Sequence, residues 1–374
     1  MELSQSDATI DAADICVAQL RDICVAAGLA EQTERIAAMF NSLCDVAGLR
    51  RLPVPPRWSG VTDDCTPIEF STSFDARGTR VRFLIEAQDD PASPASYWAA
   101  GERLDAHLGA MHDVMLEPMA AIKDLFSPTD PNALIAIWHS LEFRKDGPPL
   151  CKIYLNPAAR GRDAARTLIV AALDRLCFGR AIRGLLKLLH DDDMITHLAI
   201  DLVTAEHARV KVYVRHFRAA AANFDRRAEE VGADTGLLFS DVCEIICPCA
   251  VVLSQRPVMT CYHLTAADPA APAGMTLYLP LYPYASTGRV ASERIAALLT
   301  QAGFGASAYR RIADGLIARR SGTCDGLHTY VAYKRSAGGS RGDQITAYFS
   351  PSLFQSQFGR LALDPDHFWP SPLL

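Results

Sequence analysis

The segment RVKVYVR sets Arg209, Lys211, Tyr213 and Arg215 at alternate positions with only valine between them. Successive side chains of a β-strand point to opposite faces, so in a strand these four share one side and the valines take the other. KIYLN repeats the arrangement with Lys152 and Tyr154, and TLYLP puts Thr276 and Tyr278 in the same register. Guanidinium forks bind phosphate oxygens in pairs and ammonium groups add compact charge, so a mixed Arg/Lys cluster suits a polyanion such as a diphosphate. Tyrosines beside it have a complementary use: the negative face of the ring stabilises a carbocation of the kind left when diphosphate departs.

Paired strands must position these residues. PIEFSTSF and TRVRFLIEA flank the short turn DARG, and LIAIWHSLEF and LCKIYLNP flank RKDGPP. THLAIDLV with HARVKVYVRHF, VMTCYHLTA with MTLYLPLY, and LHTYVAYKR with DQITAYFSP complete five hairpins, each bounded by turn residues. Helical spacing separates them, beginning with residues 11–48 ahead of the Pro-rich linker RLPVPPRW. A spacing of roughly 60 to 70 residues between hairpins reads as an internal structural repeat. Ten strands joined by short turns run mostly antiparallel, and closing them into a barrel removes the unpaired edges. The expected fold is therefore α+β, a ten-stranded antiparallel β-barrel enclosed by a ring of helices. Residues 1–374 form one domain in this reading, with the helical segment 1–50 packing on the barrel.

One face of each second strand carries Arg80, Arg82, Leu84 and Glu86; Lys152 and Tyr154; Arg209, Lys211, Tyr213 and Arg215; Thr276 and Tyr278; and Gln344, Thr346 and Tyr348. For any single strand this could be a solvated outer face. For the set, external helices need apolar barrel surface to pack on, which the alternate Val, Ile and Leu positions supply. The polar faces then line a lumen wider than that of an eight-stranded barrel. Cations sharing such a space are costly unless an anion neutralises them.

The 374 residues are 49% hydrophobic and 21% charged with a net charge of −6, an ordinary globular composition without the basic footprint nucleic acid selects. MELSQSDATIDAAD lacks the basic and apolar regions of a secretory signal, and no apolar run approaches the roughly 20 residues of a bilayer span. A cytoplasmic protein is expected. Eleven scattered cysteines fit reduced, mostly buried thiols. The cluster Cys243, Cys247 and Cys249 matches no common zinc spacing. The chain has no phosphate-binding Gly-x4-Gly-Lys loop, and the run Asp191 to Asp193 is not an Asp-Asp-x-x-Asp magnesium motif and reads as a helix terminus. Positive side chains are left to do the work of a metal.

Taken in order, these segments resemble the dimethylallyltryptophan synthase family of aromatic prenyltransferases, whose ABBA or PT-barrel fold is built from five ααββ repeats. PIEFS is similar to the family segment whose glutamate holds the indole N–H, which makes Glu69 that residue. VRFLIE, KIYLNP, RVKVYVR, LYLPLYPYA and ITAYFSP resemble its remaining motifs. The resemblance implies that Arg82, Lys152, Arg209, Lys211 and Gln344 bind diphosphate and that Tyr154, Tyr213, Tyr278 and Tyr348 shield the allylic cation. Fungal members often carry Gln at the position of Thr276 and Tyr near Gln344, so the chain departs there. The short N-terminal region and Ala/Arg-rich composition suit a bacterial member.

His139 lies thirteen residues before Lys152, where many members place a basic residue near the indole, and is read with Glu69 as a candidate proton acceptor. The implied activity is metal-independent transfer of a dimethylallyl group from dimethylallyl diphosphate to tryptophan or a small tryptophan-derived indole in secondary metabolism. Prenylation of a phenol or hydroxynaphthalene, and a non-catalytic barrel binding an anionic small molecule, are the competing readings. Glu69 in its motif favours indole.

Overall fold

Strands with an apolar residue at every second position must bury that face, and this chain buries it beneath helices. The structure is a computed structural model that describes residues 9–354 apart from 55–58, 112–113, 132, 134, 191, 234, 249, 251, 321–324 and 340–341. Ten strands make one closed barrel: β1 (Ile68–Asp75), β2 (Gly78–Glu86), β3 (Ile137–Phe143), β4 (Leu150–Leu155), β5 (Met194–Asp201), β6 (Arg209–His216), β7 (Val258–Thr265), β8 (Gly274–Pro280), β9 (His328–Ser336) and β10 (Gln344–Phe349). Each strand pairs antiparallel with its neighbours in the chain, and β10 closes on β1. The five expected hairpins are present.

Helices α1 (Ala12–Ala26) and α2 (Thr33–Val46) precede the first hairpin, and α3 (Pro94–Gly109) precedes the second. Before the third come α4 (Ala165–Arg175) and the short helix Ile182–Lys187; before the fourth, α5 (Ala222–Glu230) and α6 (Phe239–Ile246); before the fifth, α7 (Gly288–Gln301) and α8 (Ser307–Arg319). The Asp11 carboxylate accepts the Asp14 N–H at the start of α1, and a Ser93–Ser96 capping box starts α3. Helix α1 packs against α2 and α8, which ties the N-terminal segment to the last repeat.

The main core lies between helices and barrel wall. On β2, Val81, Phe83 and Ile85 are fully buried on the outer face, and Phe40 of α2 meets Phe83 edge-on with ring centroids 5.0 Å apart. A second apolar cluster, containing Trp138, Tyr154, Tyr213, Tyr278 and Tyr348, lies inside the lumen. The polar faces read from the second strands therefore point inward.

Two local expectations are corrected. Arg51–Pro53, assigned to a linker, pairs as a short strand with Thr9–Asp11, while residues 55–58 of that linker lie outside the described residues. The aspartate run is not a helix terminus: Asp191 lies outside the described residues, and Asp193 follows the short helix by several residues. Its buried carboxylate receives Arg227 Nη2 at 2.8 Å and stands 2.5 Å from His216 Nδ1, tying the start of β5 to β6 and α5. Cys243 and Cys247 are buried in the outer core, with burial pushing the Cys247 thiol up to about 12. Cys249 lies outside the described residues, and among those described no three His, Cys, Asp or Glu side chains gather as a metal-binding group.

The β8–β9 register requires Gly274. Its φ is +154°, and a Cβ there would come within 2.5 Å of the Arg335 carbonyl oxygen on β9. Main chain cannot yield as a side-chain tip can, so Gly274→Ala should destabilise the barrel by about 1–3 kcal/mol. Thermal unfolding checks this; an unchanged melting temperature contradicts it.

Candidate active site

Alternation along the second strand of each hairpin gives the lumen its layers. Arg82 on β2, Tyr154 on β4, Tyr213 on β6, Tyr278 on β8 and Tyr348 on β10 lie around the barrel, one from each hairpin. Ring centroids step around it at 5.9 Å from Tyr154 to Tyr213, 5.7 Å to Tyr278 and 5.9 Å to Tyr348. Arg82 continues the belt, with its Nη2 3.0 Å from the Tyr348 hydroxyl and its guanidinium over the Tyr348 ring at 5.4 Å. Ser71 holds Arg82 from the other side, accepting from Nε at 2.9 Å. This belt divides two chambers: Arg82, Tyr278 and Tyr348 line both.

The first chamber is cationic. Arg77, Arg80, Arg82, Arg144, Lys152, Arg209, Lys211 and Lys334 line it against Asp75, Glu142 and Asp201, with Gln344, Thr276 and Thr346 among the polar positions. Asp201, on β5 and 2% exposed, is its anchor: Lys152 Nζ stands 2.8 Å from Oδ1 and Arg209 Nε bonds Oδ2. Burial alone would raise the Asp201 carboxyl, but Lys152 and Arg209 beside it hold it down to about 2. Lys211 is affected in the opposite way. Burial, reinforced by neighbouring Lys152, pushes its ammonium well below the usual lysine range. A polyanion in this chamber would reverse that pressure, so the chamber is built to be filled by negative charge.

The second chamber is aromatic, with polar groups set around its wall. Leu84, Trp138, Tyr154, His197, Tyr213, Met259, Tyr278, Tyr330 and Tyr348 line it. Trp138 Nε1 donates to Glu86 Oε1 at 2.8 Å, which fixes the indole of that wall. Arg256 and Asp63 form a buried two-pronged pair at 2.6 and 2.8 Å. Glu69, on β1, faces this chamber and accepts from the Thr329 hydroxyl at 2.6 Å. Burial pushes the Glu69 carboxyl up to about 8, with Thr329 and Arg82 only partly offsetting it.

Of the residues singled out from the sequence, Arg82, Lys152, Arg209, Lys211 and Gln344 line the cationic chamber. Tyr154, Tyr213, Tyr278 and Tyr348 form the belt, and Glu69 faces the aromatic chamber. His139 does not join them. It pairs across the sheet with Ile153 and Ile85, on the outer face of β3, and its Nε2 lies 2.8 Å from Asp105 Oδ1 on α3. Fully buried behind the wall, it cannot reach either chamber. Trp138, one residue earlier, is the inward neighbour of Tyr154. Lys334 and His197 were missed, although alternation on the first strands places Tyr330, Ala332 and Lys334 on one face and Asp201, Ala199 and His197 on another.

A closed ten-stranded barrel holding a cationic chamber in line with a tyrosine-lined one defines an aromatic prenyltransferase of the ABBA type. The family model described as tryptophan dimethylallyltransferase matches residues 29–229, and the chain belongs to that family. The chain is similar to the crystal structure of 5-dimethylallyltryptophan synthase from Streptomyces coelicolor at 30% identity and a TM-score of 0.80, covering 91% of this chain and 98% of that one. It is also similar to 6-dimethylallyltryptophan synthase from Micromonospora olivasterospora in complex with DMASPP and Trp (28% identity, TM-score 0.82, covering 92% and 98%). The apo prenyltransferase PriB matches at 27% identity and a TM-score of 0.81, covering 92% and 97%. The protein is thus a transferase of dimethylallyl groups.

With His139 outside the lumen, His139→Gln should lower the melting temperature through loss of the buried Asp105 contact while leaving turnover per folded molecule at the parent value. A stable His139→Gln protein with turnover reduced tenfold or more would return His139 to the chemistry.

Proposed function

We propose that the enzyme moves the dimethylallyl group of dimethylallyl diphosphate onto the indole ring of tryptophan or a small tryptophan-derived compound, without a required metal. The meeting of a cationic and an aromatic chamber at one belt of tyrosines carries this reading. Diphosphate oxygens take Arg82, Lys152, Arg209 and Lys211, with Gln344 at the edge of the set. These side chains neutralise the charge that develops as the carbon–oxygen bond breaks, the task magnesium performs in many diphosphate enzymes. The allylic cation then lies among the faces of Tyr154, Tyr213, Tyr278 and Tyr348, which stabilise it and exclude water. Glu69 accepts the indole N–H from the other chamber, orienting the ring and raising its electron density as it attacks. Glu69 stands in the segment PIEFS, similar to the family segment that holds an indole N–H, which favours indole over phenol. We place the enzyme in the cytoplasm, in secondary metabolism, with residues 1–374 forming one barrel domain and 1–50 packed upon it.

Labelled dimethylallyl diphosphate incubated in EDTA with tryptophan, indole peptides and phenols tests the reading. Prenylated indoles should form at a rate chelation does not abolish; loss of most turnover, restored by magnesium, would contradict metal independence, and labelled phenols alone would contradict the indole assignment. Lys211→Ala should weaken donor handling by about 1.5–3 kcal/mol, roughly tenfold to a hundredfold, with the acceptor KM little changed. Unchanged donor kinetics would remove Lys211 from the diphosphate site.

Glu69→Gln keeps the size and one acceptor oxygen but loses the charge, so turnover should fall by roughly 10²-fold while diphosphate affinity holds. Because the carboxyl is held up to about 8, the fraction ionised grows as pH rises through that value. The acceptor kcat/KM should accordingly climb with pH toward a plateau above it and decline as pH falls below it. A Glu69→Gln enzyme with parent turnover, or a parent profile flat from neutral pH upward, would defeat the assignment.

A further inference from the structure

Prenylation at a ring carbon ends when that carbon loses its proton, and neither base read from the sequence stands where the proton would leave. His139 is behind the wall, and Glu69 is occupied with the indole N–H. The register between β5 and β6 slips by one residue between Ile195 and His197, a bulge that inserts Thr196. Bulges redirect side chains and are frequent beside active sites. Here Met194, Thr196 and His197 all border the aromatic chamber.

The imidazole of His197 packs on Trp138 with ring centroids 4.9 Å apart at 36°, and meets Tyr213 of the belt edge-on at 5.7 Å and 80°. Its Nδ1 lies 2.9 Å from the Thr196 hydroxyl, whereas its Nε2 is buried without a hydrogen-bond partner. A buried polar nitrogen is costly to leave unsatisfied, so this one calls for an explanation. When Nδ1–H donates to Thr196 Oγ1, the tautomer leaves the lone pair on Nε2. In the ring of ten strands β5 lies four places from β1, so His197 stands across the lumen from Glu69. An indole whose N–H meets Glu69 turns carbons remote from its nitrogen toward the β5 wall.

We propose that His197 Nε2 is the base that accepts the ring proton after prenyl transfer. The assignment rests on the prenyl-transfer reading above. Ring π electrons form the new carbon–carbon bond to the dimethylallyl cation, whose former C–O pair has left with diphosphate. The C–H pair of the attacked carbon then returns to the ring, its proton passes to the Nε2 lone pair, and the imidazolium yields it to water as product leaves. Burial, with the Arg215 guanidinium adding to it, holds the imidazole down to about 3. So weak a base is sufficient, because the protonated ring intermediate is a far stronger acid, and the imidazole stays neutral between turnovers.

The test uses tryptophan deuterated on the indole ring. In the parent enzyme proton loss follows the committing bond formation, so protiated and deuterated substrate should react at one rate. In His197→Gln turnover should fall by roughly 10²-fold and discriminate against deuterium, while inorganic diphosphate binds as in the parent. A variant at the parent rate, or a slow variant blind to deuterium, overturns the assignment; the latter would leave His197 as packing for Trp138 and Tyr213. Should His197→Gln fail to bind diphosphate, His197→Gly supplemented with imidazole decides: restored turnover supports the base, and none overturns it. Absence of prenylated indole from the parent enzyme itself would instead refute the prenyl-transfer reading.

Discussion

Several cations share one closed lumen. Charges confined between barrel walls lose water on every side, and their mutual repulsion adds to that cost. Asp201 answers it for two of them, holding Lys152 and Arg209 in fixed places. Glu142 does so near Arg80, and although burial would raise its carboxyl, Arg80 and Arg82 keep it below the usual range. The acids are fewer than the cations among the described lining residues, so the chamber remains positive. That surplus suits the chamber to a polyanion, and the acids preserve geometry rather than cancel charge.

Five-fold repetition makes such a chamber possible. Each second strand contributes one residue per layer, and since side chains alternate, one step along the strand pair changes a Lys or Arg layer into the tyrosine belt: Lys152 to Tyr154, Lys211 to Tyr213. The cationic layer and the tyrosine belt are therefore separated by the two-residue repeat of a strand, about 7 Å, which in the proposed reaction is the gap between the diphosphate and the shielded cation. Among the described residues that line the two chambers, none lies on helices α1 to α8. Their apolar faces clamp the outer wall, as Phe40 does on Phe83, and so hold the layers in register.

Much of this was legible in the sequence because it rests on period-two alternation, which needs no knowledge of tertiary structure. The barrel, the cationic set and the tyrosine belt all follow from that rule applied to second strands. His139 failed because its role was taken from a spacing in the chain rather than from alternation; counted from Lys152 across the hairpin, the inward position is Trp138 or Ser140. Lys334 is legible by the same count on β9. Thr196 was not readable, since a bulge breaks the period and only the register with β6 reveals it. Asp193 looked like a polar helix end because its partners, His216 and Arg227, are distant in sequence.

In the proposed reaction, donor and acceptor meet across the tyrosine belt from opposite chambers. A crystal structure with a non-reactive thiolo analogue of dimethylallyl diphosphate and tryptophan bound together tests it most directly. Phosphate oxygens should lie on Arg82, Lys152, Arg209 and Lys211, the allylic carbons among Tyr154, Tyr213, Tyr278 and Tyr348, and the indole N–H on Glu69. Diphosphate bound instead beside Arg215 and Arg256, or an indole turned with its N–H away from Glu69, would contradict it.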